Sequence, residues 1–343
     1  MEIKEHYSLK EHHTFKIPVQ ARYFAEARTA DEILELSRHP VFRSQEKLVL
    51  GSGSNVFFTK NFEGLVIKIA IPGIEITKRQ DGYAIIRAGA GVNWQELVDW
   101  SLQQNFAGLE NLSMIPGTVG ASPIQNIGAY GIELKDICEG LEAMDLESGE
   151  IREFTSEECR FGYRNSIFKN ELRGRYTILA VSLKVSDLSA PGVTYRPTAS
   201  YGDLKTKLEA MDPKTLSPRL VSETVSEIRR TKLPNSTLLG NAGSFFKNPV
   251  LAEERAKQLI KEHPQVPWFK DSQGIKISAG WLIEQCGWKG KRVGNTGCYE
   301  KQALVIVNYG AATAKEILAF AYNVQSSVRE TFGIELAPEV NII

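Results

Sequence analysis

Short apolar runs separated by Gly, Asn, Asp and charged residues dominate the first half of the chain. They fall at 24–27, 47–50 (KLVL), 56–58 (VFF), 65–69 (LVIKI), 83–88, 140–145, 152–154 and 176–185, and they read as strands. Helical spacing is rarer there. Thr29-Ala-Asp-Glu32 has the capping-box pattern ahead of Ile33, Leu34 and Leu36. Asn93 precedes a helix with Trp94, Leu97, Val98 and Leu102 on one face. Later, helices are predicted over 217–230, 252–263, 279–286 and 314–332, with a buried strand at 305–308. The last helix lines up Ile317, Phe320, Ala321, Val324 and Val328 and stops at Gly333. The pattern is that of a mixed α+β protein.

One uncharged stretch, 111–132 (NLSMIPGTVGASPIQNIGAYGI), follows neither period. Pro116, Pro123 and glycines 117, 120, 128 and 131 break any helix. Ile115, Val119, Ile124 and Ile127 argue against disorder. Glycine lets the backbone approach a ligand closely, and successive N–H groups in such loops form anion-binding concavities. Thr118, Ser122, Gln125 and Asn126 add short polar groups, so a loop cradling phosphate is expected. A second glycine turn, Gly51-Ser-Gly-Ser-Asn55, follows the strand at 47–50. It resembles the start of GxGxxG, but Val56 takes the sixth position and no helix follows. It reads as a backbone nest or as a plain hairpin turn. Residues 159–166 (CRFGYRNS) set Arg160 and Arg164 around Tyr163. Residues 192–204 read as a loop bearing Tyr195 and Tyr201, and Gly240-Asn-Ala-Gly-Ser-Phe-Phe-Lys-Asn-Pro249 is a further glycine-bearing segment. Arg229, Arg230 and Lys232 before Pro234 form either an anion clamp or a helix end that complements its dipole.

Composition narrows the chemistry. Across 343 residues, Lys+Arg and Asp+Glu both number 41, so net charge gives no reason to expect nucleic acid or an anionic membrane. The opening MEIKEHYSLKEHH lacks an apolar signal region, and no apolar run reaches the ~20 residues of a spanning helix, so a cytoplasmic protein is expected. Cys138, Cys159, Cys286 and Cys298 show no CxxC spacing and read as reduced thiols. Histidines 6, 12, 13, 39 and 263 make no zinc pattern, and neither a P-loop nor a GxSxG elbow is present. Two glycine nests point to a large phosphate-bearing cofactor, and redox chemistry, if it occurs, needs a cofactor because side chains transfer hydride poorly.

GSGSN, IPGTVGASPIQNIGAYG, FGYRNSIFK, the YGDL loop, RRTKLP, GNAGSFFKNP, SAGWLIEQCGWKG and LAPEV occur in that order. Together they closely resemble the UDP-N-acetylenolpyruvoylglucosamine reductase family of peptidoglycan precursor synthesis, from about Thr14 to the C-terminus. The YGDL insertion is similar to the branch that closes a tyrosine loop over its substrate. His13 departs from the Asn usual in the family's N-terminal NTF signature. The chain also stops soon after Glu339, where relatives often add a strand.

The resemblance implies a two-subdomain FAD-binding fold of the vanillyl-alcohol-oxidase type plus a C-terminal α+β substrate domain. In this chain that suggests subdomains over 1–70 and 71–232 and a UDP-sugar domain over 233–335, with 336–343 returning to the first. It implies a monomer with non-covalent FAD, NADPH as reductant and UDP-N-acetylglucosamine enolpyruvate as substrate, without nucleic acid or membrane. A covalent-flavin oxidase would need a His or Cys on a flavin-facing loop, and the stretch 111–132 has neither. A non-catalytic flavin module would have no use for three catalytic residues. On the family template Arg164 stabilises the carboxylate and the enolate-like charge. Ser244 donates the proton, and Glu339, rather than Glu335, sits at the same carboxylate. The flavin would contact Gly51, Ser52, Gly53, Ser54 and Asn55. It would also meet Pro116, Gly117, Thr118, Gly120, Ala121, Gln125, Asn126, Gly128, Ala129, Tyr130 and Gly131. Tyr163, Tyr201, Arg229, Lys232, Asn248 and Gln302 would hold the substrate.

Overall fold

The computed structural model describes residues 1–199, 202–271 and 273–343. The chain divides into two compact units. The first comprises Met1–Tyr7, Ala21–Ser52 and Phe62–Arg229, and the second comprises Ser8–Gln20, Gly53–Asn61 and Arg230–Ile343.

Two larger sheets lie in the first unit. One is four-stranded, in the order Lys4–Ser8, Gln20–Ala27, Phe62–Ile69, Lys47–Leu50. Phe62–Ile69 runs parallel to both its neighbours, Gln20–Ala27 and Lys47–Leu50. The connection between these neighbours includes helix Ala30–Arg38, whose Ile33 and Leu36 pack into a core with Leu65 and Ile67. The capping box expected at Thr29 is half present. Thr29 accepts from Glu32 N, while the Glu32 carboxylate reaches Arg28 N rather than Thr29 N. The other sheet is antiparallel and six-stranded, ordered Ile151–Thr155, Cys138–Asp145, Tyr176–Asp187, Tyr83–Gly89, Ile74–Gln80, with Phe106–Ala107 also on Tyr176–Asp187. Helix Trp94–Gln103, capped by Asn93 as expected, buries Trp94, Leu97 and Val98 in its core.

The second unit holds two three-stranded sheets, one built on Gln302–Asn308 and one on Gly274–Ile277, with helices Glu253–Glu262, Ala279–Gln285 and Ala314–Phe332. The last helix begins with a complete box between Thr313 and Glu316 that the apolar pattern did not reveal, and it ends at Gly333 with φ +64°. Phe15, Phe57, Phe245 and Phe246 form an edge-to-face aromatic cluster. Asn341–Ile342 pairs in parallel with Val56–Phe57. The loop expected over 192–204 ends sooner, because Gly202–Glu209 is a helix whose Leu204 and Leu208 pack on Val221 and Val225.

Candidate cofactor and substrate site

In the first unit the glycine-rich stretch is a series of single turns, Glu110–Leu112 and Val119–Ala121, followed by the strand pair Gly128–Ala129 and Ile132–Glu133. Side chains hold it in shape. Asn126, fully buried at φ +46°, donates from Nδ2 to Glu133 Oε2 at 3.0 Å and to Gly162 O at 3.1 Å, and its Oδ1 accepts from Lys135 N at 3.0 Å. Ser166 Oγ donates to Ile124 O at 2.7 Å. These bonds fasten the loop to the FGYRNS segment. Within that segment Arg164 sits at φ +52° in a turn closed by mutual bonds of Gly162 and Asn165. Its Nη2 donates to Gly128 O at 3.4 Å, and its guanidinium lies 5.5 Å from the Tyr163 ring centre. A non-glycine residue in this region persists only where its surroundings over-determine it.

The two glycine nests touch. A Cβ on Gly51 would lie 2.5 Å from Thr118 Oγ1 and 3.6 Å from Ala121 Cβ. Next to it the Ser52 hydroxyl is buried with no hydrogen-bond partner. The hairpin reading of GSGSN is corrected: Lys47–Leu50 pairs with Phe62–Ile69, whereas Val56–Phe57 pairs with Asn341–Ile342. The N–H groups of Val119, Gly120, Ala121 and Ser122 are spent on Val92 O, Ala90 O, Thr118 O and Val119 O. Gly120 is required by Ala90, whose Cβ would lie 2.5 Å from a Cβ placed there. Gly117 has φ +141° and accepts from Trp94 N; Pro116 is exposed and Gln125 half-buried. In the second unit Gly53 has φ +64°, and a Cβ there would lie 2.1 Å from His12 O. Asn55 Nδ2 donates to Glu339 O at 3.4 Å; Ser54 is half-buried beside it.

Arg229, near the end of helix Pro218–Lys232, brings a second guanidinium to the first unit's site. Its Nε is buried and unpartnered. Burial holds its pKa down; the Tyr130 phenol acts against this and the Arg164 charge adds to it. The structure thus brings Arg164, Arg229 and Tyr130 into electrostatic range. Sequence reasoning missed Glu110, which lacked any motif. It is buried, accepts from Gly108 N at 2.6 Å and from the Tyr195 hydroxyl at 2.9 Å. Burial and the Glu110 charge raise the Tyr195 pKa.

In the second unit, Ser244 lies on an extended segment between two others. It bridges Val305; Phe245 N donates to Leu304 O, Lys247 N to Ala337 O, and Glu339 N to Phe245 O, each at 2.8–2.9 Å. Residues 244–247 therefore run antiparallel to 337–339, which brings Ser244 and Glu339 onto neighbouring segments. Glu339 is half-buried and Glu335 exposed. Asn248 Oδ1 accepts from Ala279 N at 2.9 Å, and Gln302 Oε1 would lie 3.3 Å from a Cβ on Gly280, so both amides meet the start of helix Ala279–Gln285. Lys232 is exposed at the end of its helix. Tyr201 lies outside the described residues.

The chain matches the model described as "FAD binding domain" over 21–155 and that described as "UDP-N-acetylenolpyruvoylglucosamine reductase, C-terminal domain" over 234–343. It is 44% identical over 346 residues to the UDP-N-acetylenolpyruvoylglucosamine reductase of Amoebophilus asiaticus, covering all of both chains. The crystal structure of the Thermus caldophilus enzyme superposes with a TM-score of 0.65 at 25% identity, over 99% of this chain and 98% of that one. A solvent-stable cholesterol oxidase superposes at 0.52 with 11% identity, over 98% of this chain and 86% of that one, a likeness of fold alone. The fold is the α+β FAD-binding type expected, and the cofactor is FAD. The residues present fit that group: a buried Ser52 hydroxyl without a partner, beside two turns packed closely enough to exclude a Cβ, suits a large polar ligand held near main chain.

Proposed function

The chain belongs to the UDP-N-acetylenolpyruvoylglucosamine reductase family of peptidoglycan synthesis, and on that premise we propose that it reduces UDP-N-acetylglucosamine enolpyruvate to UDP-N-acetylmuramate with NADPH, in the cytoplasm. When bound, FAD supplies the relay that takes hydride from NADPH and passes it to the terminal carbon of the enol ether. Gly51, Ser52 and Thr118 hold that cofactor on the first unit. Arg164 receives the substrate carboxylate, whose planar geometry its guanidinium matches. As hydride arrives at the far carbon, charge moves onto this carboxylate as an enolate, and the fixed guanidinium stabilises it without reorganising. Ser244 gives its proton to the carbon bearing the carboxylate, and Glu339 orients the acid from the adjoining segment. Asn248, Gln302 and Lys232 bind the nucleotide-sugar, and Tyr201 and Tyr163 are assigned with them.

The observation that carries this reading is the placement of Arg164. It is held at positive φ, clipped to Gly128 of the glycine-rich stretch and within electrostatic range of a second buried guanidinium. Two cations so close are stabilised by an anionic ligand. Anaerobic addition of NADPH should bleach the flavin spectrum, and the enolpyruvyl sugar nucleotide should restore it with formation of the muramate. A flavin that bleaches but is not restored by this substrate would refute the assignment.

A further inference from the structure

Gly128–Ala129 and Ile132–Glu133 form a hairpin whose central residues are Tyr130 and Gly131. Both have positive φ, +49° and +88°, as in the I′ class that joins two-residue hairpins. Asn or Asp ordinarily fills the first of these positions, because a Cβ and a bulky ring are disfavoured there. A tyrosine in that place needs something to hold it. Asn111 provides the hold. It is 1% exposed, on the turn Glu110–Leu112, and the two protons of its Nδ2 go to Tyr130 O at 2.8 Å and Thr198 O at 2.7 Å. The same turn grips the 195–198 segment a second time through Glu110 and the Tyr195 hydroxyl at 2.9 Å. The ring of Tyr130 rests on the cluster of Leu204, Leu208, Val221, Val225 and Ile228. The hairpin it heads supplies Gly128 O, which accepts from Arg164 Nη2.

We propose that Asn111 is a positioning residue for substrate binding: its amide fixes the Tyr130–Gly131 turn, and the turn sets both the Tyr130 phenol and the Arg164 guanidinium. The proposal rests on the reading of Arg164 as the carboxylate's partner. The amide suits the task because it satisfies two carbonyls at once without adding charge beside the arginines. A buried residue that only filled space would not need to reach two segments more than 60 positions apart in sequence from one another.

The test measures the enolpyruvyl ligand's Kd on the oxidised protein, from the change it causes in the flavin spectrum, together with Tm. Asn111→Ser should weaken binding about tenfold, the scale of one or two lost orienting hydrogen bonds, while NADPH bleaching stays within about twofold of the parent. Tyr130→Phe should also weaken binding. The combined variant should fall short of the sum of the two, since Asn111 acts in part through the Tyr130 phenol that the turn positions. Gly131→Ala, at an exposed position with φ +88°, strains the same turn from outside the core and should weaken binding in the same sense even if Asn111→Ser folds poorly. Unchanged Kd in Asn111→Ser or in Gly131→Ala, or strictly additive losses, would overturn the proposal. Should the parent protein itself fail to bind the enolpyruvyl ligand, the reading of Arg164 falls first.

Discussion

The two glycine-bearing segments of the candidate site are built by opposite means. In the first unit, 111–132 has little regular pairing. Beside single-turn and hairpin main-chain bonds, side chains bonding to main chain hold its shape, with Met114, Asn126 and Tyr130 in the left-handed region. In the second unit, 244–247 is extended backbone paired on both sides, and its apolar side chains do the packing. A region held by side chains can impose unusual dihedrals and so present main-chain groups and guanidinium forks at set angles. Its polar residues then carry structural duty. A region held by its backbone leaves a side chain such as Ser244 free for chemistry.

That contrast can be broken most severely at Arg164. Arg164→Met should lower kcat/KM for the enolpyruvyl substrate by about 10²–10³-fold, the range for loss of one preorganised charge-stabilising donor, while bleaching by NADPH persists. Arg164→Lys should recover only part of this, because an ammonium lacks the fork that matches a carboxylate. Next in size is a stability comparison. Asn126→Ala removes the three bonds of its amide, to Glu133 Oε2, Gly162 O and Lys135 N, and at about 1 kcal/mol each should destabilise by about 3 kcal/mol, a fall in Tm of several degrees by calorimetry. Ser244→Ala should leave Tm nearly unchanged. Equal losses in the two variants would erase the distinction.

A smaller effect concerns acid. Asp187 and Asp145 are buried in the first unit, whereas among the described residues the buried polar side chains of the second include no carboxylate. The Arg79 hydrogen bond holds Asp187 below the ordinary carboxylate range. Burial alone would push Asp145 up, but the N–H groups of Glu147 and Ser148 and the Arg175 pair outweigh it. A depressed folded-state pKa gives stability that is present above the unfolded value, about pH 4, and is lost as pH falls through the folded one. Hydrogen exchange below pH 4, corrected for intrinsic rates, should therefore show Tyr176–Asp187 losing protection before Ala314–Phe332. The smallest effect is at sulfur. Burial pushes the Cys138, Cys159 and Cys298 thiols up to about 12, whereas half-buried Cys286 is raised less. A thiol reagent at pH 8 should label the folded protein slowly, and first at Cys286.

The same contrast explains what could be read in the chain. Strands such as 47–50 and the helix behind Asn93 were legible because period and cap are local properties. Glycine density located the irregular segments at 51–55 and 111–132, and motif order is what ties Arg164, Ser244 and Glu339 to the proposed reaction. What stayed hidden was long-range. Nothing local reveals that Glu110 meets Tyr195, that Asn111 spans Tyr130 and Thr198, or that Gly51 abuts Thr118. Nor does anything local reveal that the missing Cβ of Gly120 makes room for Ala90. The GSGSN turn likewise joins strands that pair with different partners, which composition could not disclose.

The division of labour is tested most directly by stopped-flow absorbance of the Ser244→Ala protein in its two half-reactions. NADPH should bleach the flavin at the parent rate, and reoxidation by the enolpyruvyl sugar nucleotide should slow by about 10²–10⁴-fold, the range for loss of a positioned proton donor. Reoxidation at the parent rate would contradict the account.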